Sequence, residues 1–338
     1  MNTTWPATWL VYCREGFERD AQAELEHHAL EHGVHVKGES GSGWASVMRI
    51  NGETINELQR HVPFSRLIFA RQSLVALPPL FLDRENRLGA IAAQIREAGW
   101  SFESIWHETP DTNEGKSLVR LAKALTRPLQ SMLKKHGALR RKAGGRRLHL
   151  LWLSGEQVRL GMSFAGNRCE LVGGIRRLRF PSRAPSRSTL KLEEAWHEFV
   201  PRDEWDTRLE EGMQAADLGA APGGWTWQLV QRGMHVYAID NGPMDSTLMA
   251  SGQVEHLAED GFVWQPPCRL DWLVCDIVDK PSRVIAMMTR WLVHRWCREA
   301  IFNLKLPVTI QVASGETRQP AVPSGIVPSF DSPTQQAT

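Results

Sequence analysis

The sequence predicts an α/β chain in which an α+β region precedes a doubly wound domain built on a parallel sheet. Three observations point there. Beyond residue 214, short apolar strands alternate with helices, the pattern of a parallel sheet covered on both faces. Before residue 175, half-buried strand patterns mix with amphipathic helices. The 338 residues suffice for two domains, and 42% apolar with 23% charged residues is ordinary for a folded protein. No apolar run approaches the roughly 18 residues of a membrane span. The start, Met1-Asn-Thr-Thr-Trp-Pro6, lacks a basic, apolar leader. The five cysteines, Cys13, Cys169, Cys268, Cys275 and Cys297, are scattered with no C-x-x-C pair, which suits a reducing, cytoplasmic setting without disulfides or a structural zinc.

Trp9–Cys13 reads as a strand, and Ala21, Leu25 and Ala29 give residues 18–31 helical spacing. Val34–Val36 and Trp44–Ile50 read as strands around a turn at Gly38–Gly43. Residues 66–77 and Trp100–Glu108 read as strands, with a helix over 87–98. A basic helix covers 116–136, and Pro128 is expected to kink or divide it. Two strands in 147–172 meet at Ser154-Gly155. The segment 176–189 is a basic, serine-rich linker, expected to be extended or to order against RNA. A helix follows from Leu190 to Val200. Strands are predicted at 215–219, 235–240, 271–276 and 300–305, with helices at 225–231 and 281–297. No internal repeat is evident.

The net charge of +2 conceals a segregation. Residues 116–191 hold 19 Lys and Arg against Glu156 and Glu170, a net of +17, and the remainder of the chain carries −15. A solvated surface helix could be basic by chance, but a run of this length points to a polyanionic partner, nucleic acid first.

The candidate chemistry lies in the second domain. Asp217-Leu-Gly-Ala-Ala-Pro-Gly-Gly224 places small residues at a strand-to-helix turn, where a ligand can approach the backbone. Asp240 ends the next strand, 21 residues beyond Gly219, where a carboxylate can accept from ribose hydroxyls. There is no G-x-G-x-x-G, so the nicotinamide-dinucleotide fingerprint is incomplete. Asp260 lies in Glu259-Asp-Gly-Phe262; in a doubly wound fold the loop after the third strand lies beside the adenine pocket, so it could accept from an exocyclic amino group, though Asp-Gly is as often just a turn. Asp276 and Lys305 end two further strands, and ligands bind at the carboxyl ends of strands in open α/β sheets. Lys191 follows the linker. If it folds beside Lys305 in a desolvated pocket, the two ammonium groups would push a lysine pKa down so that one could act as a base, while Asp276 would oppose that shift yet could hold a lysine in place.

Ser186-Arg-Ser-Thr-Leu-Lys-Leu-Glu-Glu194, Asp217–Trp225, Val236–Pro243, Val274-Cys-Asp276 and Phe302-Asn-Leu-Lys-Leu-Pro307 together resemble the ribosomal RNA large subunit methyltransferase M family, within the wider FtsJ-like RNA ribose 2′-O-methyltransferases. The resemblance covers residues 1 to about 307. It implies a THUMP-containing RNA-binding region over 1–175 and a Rossmann-like class I methyltransferase domain over 190–307. It implies S-adenosylmethionine as methyl donor, held by Ser188, Ala221, Pro222, Gly223, Gly224, Asp240, Asp260 and Asp276. Lys305 would accept the proton, with Lys191 and Asp276 orienting it. The implied substrate is the ribose 2′-oxygen of a cytidine in domain V of 23S rRNA, before subunit assembly is complete. No metal and no membrane are implied, and the protein would act as a cytoplasmic monomer.

Other methylations fit less well. Asp276 is followed by Ile-Val-Asp-Lys280, without the Pro-Pro-aromatic run of base-amine enzymes. Cytosine-C5 chemistry needs a thiolate, and Cys275 reads as buried packing while Pro267-Cys268 precedes the strand. The resemblance ends after Pro307. Residues 308–338 carry only Glu316, Arg318 and Asp331 as charges, with four prolines, and their composition predicts a disordered tail. The family's last catalytic residue, a glutamate, would lie beyond this point, and Glu316 sits in no matching motif. The departure predicts a sheet incomplete at its C-terminal edge. It also leaves an alternative function: a catalytically impaired rRNA-binding or assembly protein.

Overall fold

In the computed structural model, residues 7–51, 55–305, 310–311 and 317–318 are described, and the chain divides into two units between Arg176 and Arg177. The first unit contains, in chain order, β1 (Thr8–Tyr12), α1 (Glu18–Glu31), β2 (Val36–Gly41), β3 (Trp44–Arg49), α2 (Asn56–His61), β4 (Gln72–Ala76), β5 (Leu80–Phe81), α3 (Arg87–Glu97), β6 (Ser104–Glu108), α4 (Asn113–Lys135), β7 (Arg147–Ser154) and β8 (Gln157–Ser163). One eight-stranded sheet runs β2-β3-β1-β4-β8-β7-β6, with β5 on β8. Its pairs are antiparallel except β6 with β7. Ala21, Leu25 and Ala29 of α1 pack on Trp9, Val11, Ala45 and Val47. Ile91 and Ile95 of α3, with Ala122, Leu129 and Leu133 of α4, pack on Leu148, Leu150 and Trp152.

The structure corrects several sequence-based limits here. Pro128 does not divide the basic helix. α4 runs 23 residues through it, capped by Thr112, whose Oγ1 accepts from the Gly115 amide at 3.0 Å. Burial of one full face outweighs the single backbone bond that proline removes. β2 begins at Val36 and extends through Gly38 to Gly41, because six ladder pairs with β3 override the weak strand preference of glycine. The expected strand over 66–77 shortens to Gln72–Ala76 behind a single turn at Phe64–Arg66.

The second unit contains α5 (Thr189–Phe199), α6 (Trp205–Arg208), β9 (Gln214–Leu218), α7 (Gly224–Val230), β10 (His235–Ile239), α8 (Ser246–Met249), β11 (Val254–Leu257), β12 (Leu270–Cys275), α9 (Pro281–Val293) and β13 (Cys297–Phe302). The strands form a parallel sheet in the order β11-β10-β9-β12-β13. The order reverses at β9, which creates the crevice where open α/β sheets bind ligands. One face packs on Leu192, Trp196, Trp225 and Leu229, the other on Val284, Met287, Met288 and Trp291. α9 stops at Val293, short of the expected 297: Arg295 takes a φ of 53° and turns the chain into β13, which ends at Phe302 rather than Lys305.

The basic connector does not stand apart from this unit. Arg177, Arg179, Arg183 and Arg187 are exposed, while Ser186 and Ser188 turn inward and are half-buried. Among the described residues β13 is an edge strand. The disorder expected for residues 308–338 falls almost wholly outside the described residues. Within them, Ile310–Gln311 pairs antiparallel with Thr317–Arg318. No described helix is long and apolar enough to cross a membrane.

Candidate active site

Strand register builds the site. Leu218 of β9 is level with Ile239 of β10 and with Cys275 of β12, and Cys275 is level with Phe302 of β13. The next residue of each strand, Gly219, Asp240, Asp276 and Asn303, therefore stands in one row across the carboxyl edge, at about 4.8 Å per strand. A cavity of about 530 Å³ opens there. Its lining includes Ser188, Lys191, Ala221, Pro222, Asp240, Asp276 and Lys305, seven of the sequence-predicted residues.

Asp276 organises one end of the cavity. Lys191 Nζ, from the first turn of α5, donates to its Oδ2 at 2.7 Å. Asn303 Nδ2 donates to Oδ1 at 2.7 Å. Lys305 Nζ donates to the Asp276 backbone carbonyl at 3.0 Å and lies 3.2 Å from Oδ1. Burial opposes the charge on Asp276, but the Asn303 bond and the two ammonium groups win and hold its carboxyl below the usual range. Asp276 is thus an ionised clamp on two lysines.

Asp240 anchors the glycine-bearing turn. Its Oδ2 accepts from the Ala221 amide at 3.1 Å and its Oδ1 from the Gly242 amide at 2.7 Å. Each oxygen keeps a lone pair for a ligand hydroxyl. The Ala221–Pro222 peptide is cis, and Gly223 caps α7 with a φ of 113°, a conformation that L side chains rarely adopt. Gly223 and Gly224 stand behind the lining. A Cβ on Gly224 would lie 2.1 Å from Ser188 Oγ and 2.4 Å from Ser186 Oγ. The absent side chain lets the connector close the cavity wall, where the two serine hydroxyls sit 2.6 Å apart.

Asp260, like Gly223 and Gly224, is a predicted contact outside the lining. It is exposed, and its Oδ1 accepts from the Phe262 amide within its own turn. Sequence reasoning missed Asn303 and gave no role to Asp217. Asn303 sits two residues before Lys305, the spacing that puts side chains on one side of an extended chain, which was the available signal. Asp217 is 1% exposed and lines the cavity, with Oδ2 accepting from Thr226 Oγ1 at 2.7 Å and Oδ1 without a hydrogen-bond partner. Burial, reinforced by the charges of Asp276 and Asp240 and opposed by the Thr226 bonds, pushes its carboxyl up to about 7.

These residues fit S-adenosylmethionine. The cavity has the volume of a small-molecule site. Three carboxyls on its wall suit a cationic sulfonium and ammonium, and the Asp217 oxygen awaits a donor. Cys275 is fully buried and its thiol is pushed up to about 12 by burial, which removes it as a nucleophile at neutral pH. Among the described residues no group of three or more His, Cys, Asp or Glu could hold a metal ion.

Comparison with known proteins agrees over about nine-tenths of the chain. Residues 7–74 match the RlmM ferredoxin-like domain, 86–164 the N-terminal model of ribosomal RNA large subunit methyltransferase M, and 184–285 the FtsJ-like methyltransferase model. The ribosomal RNA large subunit methyltransferase M of Chromohalobacter salexigens is 66% identical over 307 residues, covering 90% of this chain and 86% of that protein. The protein of the same name from Marinomonas sp. is 48% identical, covering 88% of this chain and 86% of its own. That of Pseudomonas putida is 45% identical, covering 89% and 85%. With the cavity, the Lys–Asp–Lys cluster and these matches in agreement, the chain belongs to the ribosomal RNA large subunit methyltransferase M family.

Proposed function

We propose that this protein transfers the methyl group of S-adenosylmethionine to the ribose 2′-oxygen of a cytidine in domain V of 23S rRNA, with Lys305 as general base. The observation that carries the reading is the convergence of Lys191, Asn303 and Lys305 on Asp276 at the rim of the cavity. S-adenosylmethionine supplies, when bound, a methyl group already activated on a sulfonium centre. The protein's task is then position and proton removal.

Asp240 and the 219–222 turn would hold the nucleoside end of the donor, and Asp217 its amino-acid end. Asp276 fixes Lys305 through its carboxylate and its backbone carbonyl, so Nζ has little freedom. Once Nζ has released its own proton, its lone pair takes the proton of the ribose hydroxyl as the oxygen attacks. Lys191, half-exposed on the opposite oxygen of Asp276, keeps that carboxylate neutralised while Lys305 changes charge. The N-terminal unit, read as the THUMP-containing RNA-binding region, would carry the substrate. We place the reaction in the cytoplasm, on 23S rRNA before assembly is complete, by a monomer.

Lys305→Ala tests the assignment. General-base loss lowers the rate by about 10²–10⁴-fold, while the affinity for S-adenosylhomocysteine stays within a factor of about three. Unchanged single-turnover methylation of unmodified 23S rRNA by the variant would remove Lys305 from the mechanism. If the wild-type chain binds the rRNA but transfers no methyl group, the assembly-protein reading replaces this one.

A further inference from the structure

α4 carries a feature that the methyl-transfer site does not use. Lys116, Arg120, Lys123, Arg127 and Lys134 are all exposed on this helix. At 100° per residue their side chains fall within a stripe about 60° wide, and 18 residues at 1.5 Å per residue make it about 27 Å long. The opposite side holds Ala122, Leu125, Leu129 and Leu133 against the sheet core. No carboxylate neutralises the stripe among the described residues. From Gly115 to Gly155 the sequence contains no acid at all, against 11 Lys and Arg. Lys116 Nζ donates to Asn113 Oδ1 at 3.2 Å.

The stripe leads into a second cavity. About 520 Å³ of space lies between the C-terminal end of α4, the loop carrying Arg140 and Arg141, and β6, an edge strand of the sheet among the described residues. Ile105 and Leu139 give it an apolar floor, and Lys134, Arg140 and Arg141 rim it. Its one acid, Glu103, is committed: Oε1 accepts from the Ala143 and Gly145 amides at 2.7 and 3.1 Å, which hold its carboxyl below the usual range.

We propose that the basic stripe of α4 is a docking ridge for the RNA backbone and that the adjoining cavity receives an unpaired nucleotide of the same strand. Regularly spaced cations along one helix face match a line of phosphates, and they gain affinity by releasing condensed counterions. The apolar floor beside guanidinium groups suits a splayed base, which single-stranded RNA can offer. A membrane surface is disfavoured because the apolar face of α4 is spent on the core and cannot enter lipid. The proposal rests on the RNA substrate argued above.

The test is a salt titration of binding to an unmodified 23S rRNA domain V fragment by fluorescence anisotropy. The triple variant Arg120→Gln, Lys123→Gln, Arg127→Gln removes three charges from the ridge with little change in helix preference. Arg14→Gln, Lys37→Gln, Arg96→Gln removes the same charge from exposed positions elsewhere in the unit. The ridge variant is expected to bind about tenfold more weakly at 0.15 M salt, with a log–log salt slope shallower by about 2. The control should stay within twofold, and S-adenosylhomocysteine affinity and thermal unfolding should match the wild type in both. Equal losses in the two triples would reduce the effect to net charge and overturn the ridge. So would unchanged RNA binding, or a loss confined to vesicles of phosphatidylserine and phosphatidylcholine. Because the assay reads binding, its result stands whether or not a ribose is methylated.

Discussion

At the scale of single residues, the site is a set of carboxyls held in different charge states by their neighbours. Asp276 is kept ionised by Asn303 and the two lysines. Asp217, deeper in the same wall, has only Thr226 to support a charge. Its carboxyl protonates near 7 in the fold, against 3.8 ordinarily, so between those values the folded chain holds a proton that the unfolded chain has lost. The resulting stability is fully present below pH 3.8 and disappears as pH rises through 7. At about 1.4 kcal/mol per unit, the penalty above pH 8 is on the order of 4 kcal/mol. Asp217→Asn keeps an acceptor for Thr226 and cannot ionise. The ligand-free variant should therefore melt above the wild type at pH 8, and the difference should shrink steadily toward pH 4. A melting difference that does not change with pH would show that Asp217 does not titrate in the fold.

At the scale of elements, the parallel strands of the second unit were largely legible, because apolar runs ending in Gly219, Asp240 and Asp276 mark both strand and edge. The residues that close the cavity were less so. Ser186 and Ser188 lie in a segment whose arginines and prolines read as a linker, and only the packing of Gly224 against both hydroxyls shows that it is a wall. Asn303 was hidden because its partner, the Asp276 carboxylate, is 27 residues away in sequence. Limits failed where tertiary contacts outvote local preference, as in β2 through Gly38 and Gly41, whereas the basic helix predicted over 116–136 was found at Asn113–Lys135, undivided at Pro128. The wall makes a prediction of its own. Gly224→Ala pushes a methyl group into Ser186 and Ser188, which must move outward. The affinity for S-adenosylhomocysteine should fall by about tenfold or more, the equivalent of roughly 1.4 kcal/mol from lost hydrogen bonds, with binding of the domain V fragment unchanged. Equal cofactor affinity would mean that the serine wall does not touch the ligand.

At the scale of the whole molecule, the proposed function asks the chain for two jobs with different physical needs. Phosphate binding needs many exposed cations, and these concentrate in residues 116–191. Methyl transfer needs a walled cavity with a few fixed charges, and that lies at the carboxyl edge of the second sheet. On the function proposed above, most of the charge that first pointed to RNA would serve phosphate binding, with Lys191 at the end of the basic segment serving the site. The most direct measurement of the central claim uses the reaction product. A 2′-O-methyl group removes the hydroxyl that alkali needs to cleave the adjoining phosphodiester. Unmodified 23S rRNA incubated with the protein and S-adenosylmethionine, then hydrolysed in mild alkali, should show one protected linkage, 3′ to a cytidine of domain V. A methyl group incorporated without alkali protection, on a base rather than on a sugar, would contradict the account.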